Sequence, residues 1–161
     1  MLVSDTLHSP RCANEPFDRA FRTDTLRRPA VTPHPPLVAA VDENWLQQAA
    51  DRLPGAVLTR KPEWEALTLT VGGRLFGMYG ADNLGRLILT MKGDPLENEA
   101  LRQEFAEIVP GYYANKQHWN SVLLERATFS AERLGEMLEE SYTLVFGRLT
   151  KKLQAELRDS R

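Results

Sequence analysis

Nine consecutive residues, from Tyr112 to Asn120, carry the densest chemistry in the chain. Two phenols (Tyr112, Tyr113), an indole (Trp119), an imidazole (His118), carboxamides (Asn115, Gln117, Asn120) and one ammonium (Lys116) stand together without an acid. Rings interleaved with a cation suit base stacking plus phosphate contact, with stacking worth about 1–3 kcal/mol per base. The competing reading is a strand pair whose rings fill a core and whose polar groups satisfy a turn. Tyr112-Tyr113 and the run from Trp119 to Glu125 are expected to be those strands, with Asn115-Lys116-Gln117 at the turn. Asn fits there because it tolerates left-handed backbone. Trp119 is expected to be mostly buried, with Lys116, Gln117 and His118 facing solvent as the contact tip.

Further cations extend this set. Arg74 follows Gly72-Gly73, and Lys92 precedes Asp94. Amides at a helix N-terminus favour anions, although Asp94 as cap competes for the same place. Lys151 and Lys152 belong to a C-terminal basic run that either meets a phosphate or complements the helix macrodipole. Ser141-Tyr142 can present hydroxyls to a ligand or bond the backbone. Glu97, Glu99, Glu104 and Glu107 are spaced around a helix instead of clustered on one side, which speaks against a cation site and for a solvated face.

Catalysis finds no support. The chain has no G-x-S-x-G nucleophile elbow and no phosphate-binding G-x-x-x-x-G-K-[ST]. Its single cysteine, Cys12, has His8 nearby but no framework to orient a base, and His8, His34 and His118 are too dispersed for a metal site. No catalytic residue, metal or cofactor is therefore expected. One cysteine also excludes an internal disulfide.

Composition narrows the partner. Twenty Lys+Arg against 22 Asp+Glu give a formal charge of −2, unlike a generic nucleic-acid coat. With 161 residues, 42% hydrophobic and 26% charged, the chain suits one globular domain plus an extension. No signal-peptide pattern and no apolar run of membrane-spanning length is visible, so a cytoplasmic protein without a membrane partner is expected.

The elements that must position these residues follow from local signals. Residues 1–36 hold Pro10, Pro16, Pro29, Pro33, Pro35 and Pro36, six of the ten prolines, and read as a separate arm with one short helical patch near Phe17 and Phe21. From residue 37 to 161 the pattern is globular. Asp42 caps a helix with Trp45, Leu46, Ala49, Ala50 and Leu53 on its inner stripe, stopped by Pro54-Gly55. Leu67, Leu69 and Val71 alternate with threonines, Gly72-Gly73 turns the chain, and the apolar pattern resumes to Tyr79: a hairpin. Arg86–Lys92 is a further strand. Asp94, Pro95 and Glu97 open a helix with Leu101, Phe105 and Ile108 inside and Pro110-Gly111 at its end. Ser130 opens the last helix, which Leu153 and Leu157 extend past Gly147. The order favours α+β, an antiparallel sheet with helices packed on one face.

The stretch Val109-Pro-Gly-Tyr-Tyr-Ala-Asn-Lys-Gln-His-Trp-Asn-Ser-Val122 closely resembles the signature segment of the MmcQ/YjbR family. Leu53-Pro54-Gly55, Val71-Gly-Gly-Arg-Leu-Phe76, Leu89-Thr-Met-Lys92 with Asp94-Pro95, and Ser141-Tyr-Thr-Leu-Val145 are similar to further family blocks, in the same order. The resemblance spans roughly residues 37–152. It implies the CyaY-like, or double-wing, fold and a DNA-binding module. It also places Arg74, Lys92, Tyr112, Tyr113, Asn115, Lys116, Gln117, His118, Trp119 and Asn120 in one contact region. Tyr113 stands where the family has His, Gln117 where it has a basic residue, and Arg74 where it has Lys. The loss of charge at Gln117 weakens a phosphate-contacting loop, and the alternative is a protein-interaction module using the same surface. Frataxin-type relatives of the fold bind iron on an acidic ridge, which the spacing of Glu97, Glu99, Glu104 and Glu107 does not reproduce.

Overall fold

A computed structural model of the chain describes residues 36–160. The proline-rich arm up to residue 35, with its Phe17–Phe21 patch, Cys12, His8 and His34, lies outside the described residues. In chain order the elements are α1 Leu37–Ala40, α2 Glu43–Arg52, β1 Ala56–Lys61, β2 Ala66–Val71, β3 Arg74–Ala81, β4 Leu87–Lys92, α3 Pro95–Glu104, β5 Ile108–Pro110, β6 Trp119–Leu123, α4 Ala131–Phe146 and α5 Lys151–Asp159. The strands form one antiparallel sheet in the order β1-β2-β3-β4-β6-β5. This is the expected α+β architecture. No helix among the described residues is long and apolar enough to cross a membrane.

Period-two alternation gives the sheet two different faces. Leu67, Leu69, Leu89, Met91 and Val122 point into the core shared with Leu46 of α2 and Leu134, Leu138 and Val145 of α4. On the other face, register lines up Thr59, Thr68, Met78, Thr90, Ser121 and Val109 across all six strands. Gly77 lets α4 approach: an added Cβ would lie 2.9 Å from Leu69 Cδ1 and 3.2 Å from Leu138 Cδ1.

Helix starts follow the capping chemistry read from the sequence. The side chains of Asp42, Asp94 and Ser130 accept hydrogen bonds from Trp45, Leu96 and Arg133 amides. Several boundaries differ from expectation. The α3 helix stops at Glu104, and Ile108, read as part of its stripe, begins β5 instead. Leu153 and Leu157 do not extend α4: Gly147 ends it, and Thr150 caps a new helix through Leu153 N. Tyr112 and Tyr113 are not strand residues, because β5 ends at Pro110 and Tyr113 takes the left-handed backbone at φ 58°. Glu107 does not decorate a helix. It is buried, and its carboxylate accepts from Thr128 N at 2.8 Å and Thr128 Oγ1 at 2.7 Å.

Two buried carboxylates each accept more than one hydrogen bond. Asp82 Oδ1 accepts from Leu84 N and Arg86 N, and Oδ2 from Arg86 Nε at 2.8 Å. The Arg86 hydrogen bond, above all, holds the Asp82 pKa below its ordinary value. For Glu107, burial raises the pKa, but the Thr128 hydrogen bonds outweigh it and leave the group lowered. Groups with folded values below unfolded ones contribute stability that is fully present above about pH 5 and is lost as pH falls through the folded values. Stability measured by denaturant from pH 7 down to 3 is thus expected to decline steeply in the acid range. The D82N and E107Q variants should each flatten that decline, and an unchanged acid limb in both would show the pairs to be inert.

Candidate binding cleft on the sheet face

The segment from Gly111 to His118 does not extend from the sheet but folds back over it. Gly111 N donates to Trp119 O at 2.7 Å, closing the end of the β5–β6 pair. Tyr112 N donates to Ser121 Oγ at 2.9 Å, and that hydroxyl is 2.7 Å from Thr90 Oγ1, so the chain is pinned to the helix-free face. The Tyr112 hydroxyl accepts from Asn83 N in the β3–β4 turn. The next residue is left as an outward ring: Tyr113 is 80% exposed, 4.2 Å from the Tyr112 ring centroid and nearly perpendicular to it. A hydrogen bond with Tyr112, foremost, pushes the Tyr113 pKa up.

A 3-10 turn, Pro62–Trp64, forms the facing lip between β1 and β2. Its Trp64 is 59% exposed, an unusual placement for a large ring. Between the lips lies a cleft of about 690 Å³, floored by Leu75, Met78, Ile88 and Thr90 and walled by Trp64, Tyr113 and Trp119. Glu65 ends the first lip at φ 49° and Tyr113 lies in the second at φ 58°. Among the described residues these are the only non-glycine positions with positive φ. Such conformations cost on the order of 1–3 kcal/mol each and persist where the surroundings impose them.

Alternation along β6 separates two neighbours that the sequence placed together. Trp119 pairs with Lys92 on the helix-free face, half-buried, with the Lys92 ammonium 5.8 Å from its ring centroid. Asn120 turns under α3. Its Nδ2 donates to Asn98 O, its Oδ1 accepts from Arg102 Nη1 at 2.8 Å, and Asn98 Nδ2 donates to Gln117 O. Asn120 is 3% exposed, so it belongs to the frame of the loop and not to its contact surface. Asn115 is also a positioning residue: its Oδ1 accepts from Gln117 N and His118 N. Lys116 and Gln117 are exposed as expected, whereas His118 is half-buried.

The cations gather at one end of the cleft. Register puts Arg74, Lys92 and Trp119 at the same end of adjacent strands β3, β4 and β6, and Gly93 N donates to His118 O there. Burial first, then the charges of Arg148 and Arg74, lower the Lys92 pKa. Arg102 Nη1 donates to Lys116 O at 3.1 Å as well as to Asn120, so it braces the loop from α3. The opposite lip holds Glu63 and Glu65. Leu75 and Met78 are expected from the sequence as apolar residues of a hairpin strand and not as site residues, and Trp64 has no place among the expected elements. Trp64 alone had a signal, a tryptophan between two acids with no apolar periodicity around it. The groups show no metal cluster among the described residues. Ser141 and Tyr142 face the backbone, not a ligand: Ser141 Oγ donates to Phe76 O and Tyr142 Oη to Pro54 O.

Because only its backbone carbonyl is engaged, replacing the Lys116 side chain should leave the fold intact. Lys116→Ala is expected to change stability by no more than about 0.5 kcal/mol in a urea titration. A loss beyond about 1 kcal/mol would mean that the ammonium is part of the loop's structure.

A family model described as YjbR matches residues 51–144, from the end of α2 through most of α4. The protein YbdF of Escherichia coli O157:H7 is 31% identical over 97 residues, covering 60% of this chain and 76% of that protein. YyaQ of Bacillus subtilis is 31% identical over 86 residues, 53% of this chain and 70% of its own. The crystal structure of Deinococcus radiodurans protein DR2400, with a DUF419 domain, superposes with a TM-score of 0.62 at 37% identity, over 70% of this chain and 85% of that one. A Pseudomonas syringae structure shares the fold at 18% identity, with a TM-score of 0.54 over 65% of this chain and 99% of that one.

Proposed function

The chain belongs to the YjbR family, and from that premise we propose that its domain is a non-catalytic module that binds DNA through the helix-free face of the sheet. The observation that carries the reading is the set of cleft aromatics Trp64, Tyr113 and Trp119 bounded at one end by Lys92, whose charge is reinforced by Arg74, paired with the core residue Val71, and by Arg148 just after α4. Arg74, Lys92, Arg148 and Lys116 contact phosphates, and the cleft supplies contacts to bases. Rings offer stacking without reading sequence, while the charges hold the backbone. The net charge of −2 fits a local contact of few phosphates and not a broad electrostatic coat.

Four phosphate contacts to a single strand, at about 0.7 counterions each, give a slope of log K against log salt no steeper than about −3. A fluorescence titration with a single-stranded oligonucleotide at 50 and 200 mM salt measures it. Absence of binding at the lower salt would defeat the DNA reading. A second reading then takes its place, because Glu63 and Glu65 border the same apolar cleft: a protein segment with a cationic and an apolar residue would fit there, and its binding would depend little on Lys92 and Arg74.

A further inference from the structure

We infer that the cleft is a slot for one unstacked, amino-bearing nucleobase, entered from a single strand with its phosphate toward Lys92 and its base edge toward Glu63 and Glu65. The inference rests on the DNA reading and adds what occupies the cleft. Its volume, about 690 Å³, lies within the range of sites that enclose one small molecule, and it leaves room for a nucleoside monophosphate.

The walls favour a flat aromatic guest over an aliphatic one. Trp64 and Tyr113 expose 59% and 80% of their surface, from lips whose backbone is held at φ 49° and 58°. A fold that imposes left-handed backbone beside two outward rings presents π faces that a base covers well. The floor of Leu75, Met78 and Ile88 matches the apolar underside of a ring. Thr90 offers no directional preference, since its hydroxyl is engaged with Ser121.

The ends of the cleft differ in charge, and this orients the guest. Leu75 and Trp119 mark the end where Arg74 and Lys92 lie on the same strands, which suits a phosphate. Glu63 and Glu65 line the other end, and ionised carboxylates only accept hydrogen bonds. They therefore suit the N4 amino group of cytosine or the N6 amino group of adenine, and they face the O4 carbonyl of thymine with a like polarity.

Three eight-nucleotide strands test this on the full chain: abasic except for one central dC, abasic except for one central dT, and abasic throughout. Tryptophan fluorescence gives the affinities. The dC strand is expected to bind at least about ten-fold more tightly than the fully abasic strand, with the dT strand between them. Trp64→Ala should reduce the dC strand to the abasic level while leaving the abasic strand unchanged. Equal affinity of all three strands would overturn the slot and leave the phosphate surface standing. Binding of no strand at low salt would remove the DNA reading itself. Free dCMP is expected to bind at least ten-fold more weakly than the dC strand, and equal or tighter binding of dCMP would overturn entry from a strand.

Discussion

Ser141→Ala is expected to destabilise the domain by about 2–5 kcal/mol, a large share of the ~5–15 kcal/mol that holds a domain of this size. The reason lies in where the β3–β4 ladder stops. Pairing runs from Ala81↔Leu87 to Gly77↔Met91, so the next rung would join Phe76 to Lys92. Ser141 enters that gap from α4: its hydroxyl, fully buried, donates to Phe76 O at 2.6 Å and accepts from Lys92 N at 2.8 Å. Alanine would leave a buried carbonyl and a buried amide without partners, each at about 1–3 kcal/mol. The same bond fixes the backbone of Lys92, whose ammonium lies over Trp119, so the loss reaches the cleft as well. Urea unfolding checks it: the midpoint should fall with an unchanged slope. Tyr142→Phe is the comparison, since it removes the hydroxyl bond to Pro54 O and should cost about 1 kcal/mol. If the two variants lose equally little, the gap between β3 and β4 admits water and the wedge is not structural.

Local signals were legible because their physics is local. Asp42 and Asp94 announce helix starts through their own side chains, and Gly72-Gly73 turns the β2–β3 hairpin at φ 55° and 74°. The first strand was not legible. As an edge strand β1 carries an exposed Val57, with Arg60 and Lys61 at its end, a pattern too polar to read as half-buried. Ile108 was misread for the opposite reason: Leu101, Phe105 and Ile108 fall at helical spacing, yet Phe105 ends the helix, and Ile108 is buried from a strand. In the segment Tyr112–Asn120 the residue types alone do not give the geometry. Only the pairing of Trp119 with Lys92 shows that Trp119 faces the cleft while Asn120 faces α3. The cleft itself lies beyond any linear pattern, because its two lips are almost fifty residues apart in sequence and meet through the topology of the sheet.

Gly111→Ala should produce the other large effect, and it should damage the fold and the cleft together. Gly111 is buried at the end of β5, where its amide donates to Trp119 O at 2.7 Å. A Cβ built there would lie 2.5 Å from Trp119 Cβ, 2.9 Å from Trp119 O and 3.1 Å from Trp119 C. Two of these atoms are backbone, so no rotamer relieves the overlap. The methyl group would push apart the two chains that the hydrogen bond holds together. Overpacking of this kind costs about 1–3 kcal/mol, and a strained or broken buried hydrogen bond adds about 1 kcal/mol or more. Gly73→Ala separates backbone strain from overlap: it has φ 74° and nothing within 4 Å of its added Cβ, so only the left-handed cost of about 1–2 kcal/mol applies. Gly111→Ala is expected to lose about 2–4 kcal/mol in urea. It should also weaken oligonucleotide binding at temperatures where the variant is still folded, because Trp119 and the Tyr112–Ala114 lip hang from that bond. Gly73→Ala should keep binding near wild type. Binding by folded Gly111→Ala that matches the wild type would show that the lip is held elsewhere, through Tyr112 N on Ser121 and the Tyr112 hydroxyl at Asn83, and that Gly111 matters to the fold alone.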